Sequence, residues 1–229
     1  MVKTQVHTVA VSDIHLESKD CRAELLLEVL GRYEFERLII VGDLYEKGSP
    51  IGDNQFEVVN YLRENSEKIV YVNGNHDPAG EILAGGIAGI KTVDEYMWTM
   101  GEKKFCSLHG HQFDQFLFIF SAPLIDRIFT KIVALVKKTD KEKWHVSKLI
   151  SYMHDWLSGH IVTKAKKYAL KNDANVIICG HTHIAMHTSF PEIGVDYFNC
   201  GNWNDPNGQC SFLTIDNQGK TELHFVRDK

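Results

Sequence analysis

The chain has 229 residues and 26.1 kDa, enough at about 100–200 residues per domain for one large domain, or one domain carrying an insertion. Hydrophobic residues at 44%, charged residues at 24%, 17 Gly and only 5 Pro exclude collagenous, low-complexity and disordered chains. A formal charge of −5 gives the protein as a whole no basic footprint for nucleic acid, so no stable duplex binding is expected and any basic patch must be local.

Met1-Val2-Lys3-Thr4-Gln5 runs straight into an apolar alternation, without the apolar stretch and cleavage site of a signal peptide. Cys21, Cys106, Cys179, Cys200 and Cys210 form no CxxC pair, so buried free thiols in a reducing cytoplasm are expected. Residues 6–11 read as a strand, 23–33 as a helix, and 37–41 as a short strand ending in Gly42-Asp43. Residues 56–64 are helix-like. A strand over 69–72 then closes in the loop Asn73-Gly74-Asn75-His76-Asp77-Pro78. Alternating strands and helices predict βαβ units and a largely parallel sheet, with ligands at the carboxyl edge of the strands.

Two further apolar runs end in polar clusters. Phe105-Cys106-Ser107-Leu108 leads into His109-Gly110-His111, and Asn175-Val176-Ile177-Ile178-Cys179 into Gly180-His181-Thr182-His183. Between them, Leu117, Phe120, Leu124, Ile128, Ile132 and Leu135 recur at helical spacing. A second helix over about 144–170 places Leu149, Met153, Trp156, Leu157, Ile161, Ala165 and Tyr168 on one face. The pair predicts a helical cap inserted at about 112–172 within a single domain spanning 1–229. Residues 116–136 are long enough to suggest a membrane span but contain Pro123, Asp126, Arg127 and Lys131. Each charge costs about 2.5–3.5 kcal/mol at a bilayer centre, which excludes one. Residues 195–198, 211–215 and 222–226 read as antiparallel strands, with turns at Asn207-Gly208 and Gln218-Gly219.

The polar strand ends carry the chemistry. Asp13, His15, Asp43, Asn75, His109, His181 and His183 offer carboxylate, amide and imidazole donors suited to Mn²⁺, Fe²⁺ or Zn²⁺, and seven groups exceed what one ion needs. Two ions need a bridge, and Asp43 is the natural candidate. In Asp13-Ile14-His15 and His181-Thr182-His183 the ligands are two apart, which in an extended segment puts both side chains on one side. Such a centre makes hydroxide available near neutral pH and clamps phosphoryl oxygens, the chemistry of phosphoester hydrolysis. His76 adjoins Asn75 and could protonate the leaving oxygen or stabilise developing charge. His111 and His187 are weaker candidates for phosphate contact, whereas His7, His145, His154 and His160 read as structural.

The run Asp13-x-His15, Gly42-Asp43, Gly74-Asn75-His76-Asp77, His109 and Gly180-His181-Thr182-His183 resembles the calcineurin-like metallophosphoesterase superfamily over nearly the whole chain. The resemblance implies a four-layer αββα sandwich. It also implies one metal at Asp13, His15, Asp43 and His183, a second at Asp43, Asn75, His109 and His181, and His76 as catalytic histidine. Mn²⁺ is the first expectation for both ions. His109-Gly110-His111-Gln112-Phe113-Asp114, the helical insertion and Asn199-Cys200-Gly201-Asn202-Trp203 are similar to the UDP-2,3-diacylglucosamine hydrolase branch, which cleaves a nucleotide pyrophosphate. The lipid enzymes of that branch typically carry Arg where this chain has His76, and His-Gly-Asp where it has His109-Gly110-His111. A nuclease or cyclic-nucleotide phosphodiesterase is the alternative enzyme reading. The alternative of another class is a non-catalytic scaffold resembling the retromer subunit of this fold.

From Lys131 to Lys171 there are ten lysines, no arginine and three acidic residues, a net +7 that leaves −12 on the rest of the chain. A solvated helix surface is one reading of that contrast. The other is a basic lid that draws in a phosphorylated small-molecule or nucleotide-type substrate, with peripheral contact to membranes or amphipathic lipids.

Overall fold

The computed structural model describes residues 2–45, 52–77, 90–114 and 143–228. β1 (Thr4–Val11) starts exposed and ends buried on both faces, because its second half, Thr8 to Val11, is apolar on one side and small on the other. It leads through α1 (Ala23–Gly31) to β2 (Tyr33–Val41), which pairs with it in parallel. β2 starts four residues earlier than the β-branched run predicts. Phe35 is buried between exposed Glu34 and Glu36, a period-2 pattern that carries the strand back to Tyr33. α2 (Asp53–Glu64), β3 (Ile69–Val72) and β4 (Lys91–Val93) continue the parallel series. β10 (Gln209–Ile215) and β11 (Thr221–Arg227) add antiparallel strands on the other side. The first sheet thus has six strands in the order β11-β10-β1-β2-β3-β4.

The second sheet has five strands in the order β5-β6-β7-β9-β8. They are β5 (Glu95–Met100), β6 (Lys103–Leu108), β7 (Val176–Cys179), β8 (Met186–Phe190) and β9 (Val195–Asn199). Instead of one largely parallel sheet there are two mixed ones. β9, expected to be antiparallel, runs parallel to β7 and antiparallel to β8 alone. β4, β5 and β8 have no counterpart in the sequence reading. β8 alternates partly buried with exposed residues, as an edge strand does, and shows no buried apolar run.

Alternation sorts each central strand between two cores, and so builds the layers. Val9, Val11, Leu38 and Ile40 pack outward against Leu26, Val29 and Leu30 of α1 and Val58 and Leu62 of α2. Ala10, Ile39 and Val41 point the other way, into a core shared with Phe105, Val176, Ile178 and Phe198 of the second sheet. Cys106, Leu108, Ile177 and Tyr197 face a third core, closed by Ile161, Val162, Ala165 and Ala169 of α3 (Lys143–Asn172). The result is helix, sheet, sheet, helix, the four-layer αββα sandwich expected from the family resemblance.

The second half of α3 is therefore a layer of the sandwich rather than part of a cap. Trp156, expected on the same face as Ile161, is 63% exposed, because five residues turn a helix by about 140°. The first predicted cap helix lies outside the described residues, as does the apolar window 116–136. Among the described residues no helix is long and apolar enough to cross a membrane. All five cysteines are free, with Cys21 partly buried and the other four buried.

Candidate metal centre

Residues from both sheets meet at one edge. Asp13 and His15 follow β1, Asp43 follows β2, Asn75 and His76 follow β3, His109 follows β6, and His181 and His183 follow β7. Among the described residues, two groups hold ligand atoms within 4.8 Å of one another: Asp13 with His15 and His183, and Asp13 with Asp43 and His109. Asp43 Oδ2 lies 3.1 Å from His109 Nε2 and 4.0 Å from His15 Nε2, facing ligands of both groups. Asp13 Oδ1 lies 3.1 Å from His183 Nε2 and 4.0 Å from His109 Nε2.

The spacing-by-two argument for an extended backbone does not hold. Asp13, His15, Asp43, His181 and His183 all have positive φ, between 48° and 69°. The left-handed region is uncommon for non-glycine residues, and each instance costs about 1–2 kcal/mol. Surrounding hydrogen bonds hold it. Ile14 and His15 donate to the Asp43 carbonyl at 2.9 and 3.1 Å, Asp13 donates to the Gly42 carbonyl at 3.1 Å, and Trp203 N–H donates to the Asp13 carbonyl at 3.0 Å. Asn202 Nδ2 donates to the His183 carbonyl at 2.9 Å. Gly74 and Gly180 admit the close approach, since a Cβ there would collide with the Asp43 carboxylate and with Ser12 and Asp13.

The carboxylates are aimed by donors on their outer oxygens. Asp43 Oδ1 accepts the His76 backbone N–H at 2.9 Å, and Asp13 Oδ2 accepts the His181 N–H at 3.0 Å and the Ser12 hydroxyl. Asp77 accepts the backbone N–H groups of Asp43, Gly74 and Tyr45 at 2.8, 2.7 and 3.1 Å, tying the β2 loop to the β3 loop. The imidazoles are oriented in the same manner. His109 Nδ1–H donates to the Val41 carbonyl at 2.7 Å, which turns Nε2 toward the carboxylates. Asp114 Oδ2 lies 3.2 Å from His181 Nε2, so a proton held there leaves Nδ1 as the donor atom. Sequence reasoning assigned no role to Ser12, Asp77, Asp114, Asn202 or Trp203, although all but Ser12 stand in motifs it had quoted.

The electrostatics ask for positive charge. Burial acts to raise the carboxyls of Asp13 and Asp43, yet the neighbouring histidines outweigh it and both end below the ordinary carboxylate range. Burial acts to lower His109, but Asp13 and Asp43 carry it up to about 9. His15 and His111 go the other way: burial dominates, and the His109 charge helps bring His111 down to about 4. Two buried carboxylates thus hold a proton where a cation would serve them better. Asn75 Oδ1 is buried with no hydrogen-bond partner, a further donor suited to a divalent ion. The residues present fit a metal.

His76 is exposed beside the centre, with its ring edge-on to His15 at 5.3 Å between centroids. His111 lies next to it as well, 5.5 Å from His109 and 6.3 Å from His181. His187 is placed differently: it stacks on Phe198 at 4.2 Å and pairs with Asp196 at 3.1 Å, partners on β9 that account for it without a phosphate.

The family profile described as calcineurin-like phosphoesterase matches residues 6–185. No curated protein gives a match. Among solved structures, a novel archaeal phosphodiesterase is 16% identical with a TM-score of 0.53, covering 96% of this chain and 99% of that one. Yfce, a phosphoesterase from E. coli, is 18% identical with a TM-score of 0.51, covering 92% and 88%. Vacuolar Protein Sorting 29 from Cryptosporidium parvum is 13% identical with a TM-score of 0.51, covering 96% of each. At these identities the likeness shows the fold.

Proposed function

The chain belongs to the calcineurin-like phosphoesterase family, and from that membership we propose that it is a metal-dependent hydrolase of a phosphoester or pyrophosphate bond. The observation that carries this reading is the pair of ligand groups sharing Asp13, with Asp43 Oδ2 facing both. Asp13, His15, Asp43 and His183 would hold one divalent ion, and Asp43, Asn75, His109 and His181 a second. Such ions lower the pKa of water and offset charge on phosphoryl oxygens. The chain's own residues do the rest. Asp77 and Asp114 fix the ligands before substrate arrives, so little reorganisation is needed at the moment of reaction. His76, exposed beside His15, would give the leaving oxygen its proton, while its backbone N–H keeps Asp43 in place.

Support for the UDP-2,3-diacylglucosamine branch comes from the two motifs that carry that likeness, since Asp114 and Trp203 both brace the centre. The test compares bis-(p-nitrophenyl) phosphate, p-nitrophenyl phosphate and UDP-2,3-diacylglucosamine, after chelation and with Mn²⁺ restored. Mn²⁺-dependent turnover is expected. His76→Ala should keep its metal content and lose about 10²–10⁴-fold in turnover of esters with poor leaving groups. Two bound metals with no turnover of any phosphoester would favour the scaffold reading instead.

A further inference from the structure

A pocket of about 260 Å³ adjoins the metal centre at His183. His183 is shared between the pocket and the candidate ligand group. Ile184 and Asn202 come from the loops of the second sheet, and Asp205, Gln209 and Phe225 from the β10–β11 side of the first. Phe225 is 58% exposed on an edge strand and lies opposite Ser211 in register. It shares the face of Leu223, which packs into the core between the sheets. A ring this exposed leaves apolar surface open to the pocket it lines.

The pocket's charge is informative. Among the described residues that line it there is no lysine or arginine, and Asp205 carries a negative charge. The guanidinium of Arg22 nearby is engaged elsewhere: it donates to the Asp205 and Pro206 carbonyls at 2.9–3.1 Å and faces Asp228 at 3.6 Å. A second phosphate would meet repulsion there without compensation. A flat, uncharged group with apolar faces and a polar edge fits better. Phe225 and Ile184 supply surface for the faces, and the Gln209 side-chain amide supplies a partner for the edge, while Asp205 Oδ1 accepts the backbone N–H groups of Asn207 and Gln209 at 2.6 and 3.4 Å.

We propose that this pocket receives the nucleoside arm of a phosphodiester substrate whose phosphate sits at the metal centre beyond His183. The assignment rests on the phosphoesterase reading for the position of that phosphate. Phe225 is the stacking platform and Gln209 the reader of the base edge.

The test has two readouts on the full-length protein. Saturation-transfer NMR with thymidine, which carries no phosphate, in Mg²⁺ buffer should show transfer to the base protons. That transfer should be lost in Phe225→Ala and kept in Phe225→Trp. For turnover, thymidine 5′-(p-nitrophenyl) phosphate is compared with methyl p-nitrophenyl phosphate. Phe225→Ala should raise KM for the nucleoside diester about tenfold, the scale of one base–aromatic stack, and leave the methyl diester unchanged. Equal effects on both diesters, or no transfer to thymidine in the wild type, would overturn the pocket and leave the hydrolase reading intact. Transfer to thymidine without turnover of either diester would overturn the hydrolase reading and leave the nucleoside pocket standing.

Discussion

Asp43 shows how much one residue must satisfy at once. Its backbone is left-handed, its N–H is held by Asp77, its Oδ1 accepts from His76, and its Oδ2 faces His15 and His109. The constraints come from three other loops, those after β1, β3 and β6, which is why the strained conformation persists. Asp114 has a narrower task, the orientation of His181. Asp114→Ala should weaken Zn²⁺ binding by about 10–100-fold, the usual effect of losing a partner behind a metal ligand. Asp114→Asn, which keeps an oxygen acceptor, should retain most of the affinity. Asp43→Ala should abolish binding at both positions. Titration of the chelated protein reads all three, and an unchanged affinity in Asp114→Ala would remove the positioning role. Asp114 was given no role in the sequence reading, whereas Asp13, His15, Asp43, His181 and His183 were legible because each follows an apolar run. Their left-handed backbones were not, since nothing in an Asp-x-His spacing distinguishes a turn from an extended segment until its hydrogen-bond partners are known.

At the scale of elements, the strands and helices named in advance are those with a buried apolar run or a helical period. β3 and β7 read correctly within a residue because all four residues of each are buried. β5 escaped because its neighbours are aromatic rather than β-branched: Trp98 stacks on Phe105 at 5.0 Å and on Tyr96 at 5.1 Å, a ladder visible only once β6 lies beside it. α3 was legible as a helix but not as a layer, because assigning its inner face requires knowing that the second sheet lies against Ile161, Ala165 and Ala169. Ile161→Ala should cost about 2–5 kcal/mol, the range for truncating a fully buried aliphatic side chain, whereas exposed Trp156→Ala should change stability little. Urea denaturation of the two variants separates a structural layer from a detachable cap, since a cap helix would show the opposite ranking.

For the molecule as a whole, the buried charges couple stability to pH and to metal. Folding raises His109 from its ordinary 6.5 to about 9. Its protonated form therefore contributes stability that is fully present below about 6.5 and is lost as pH climbs through about 9. In chelator, the urea midpoint should decline across that interval. A divalent ion displaces the proton from between the carboxylates, so restoring it should flatten the decline. A decline of the same size with and without metal would mean that no ion binds between Asp13, Asp43 and His109.

The candidate ligands are divided between the two sheets, Asp13, His15, Asp43 and Asn75 on the first and His109, His181 and His183 on the second. Apolar side chains around Ala10, Ile39, Phe105 and Ile178 fill the space between those sheets, and hydrogen bonds such as His109 Nδ1 to the Val41 carbonyl join them near the edge. An ion held at that edge would therefore be a cross-link as well as a cofactor. It would join positions as distant in the chain as Asp13 and His183, so that neither sheet could open there without releasing it.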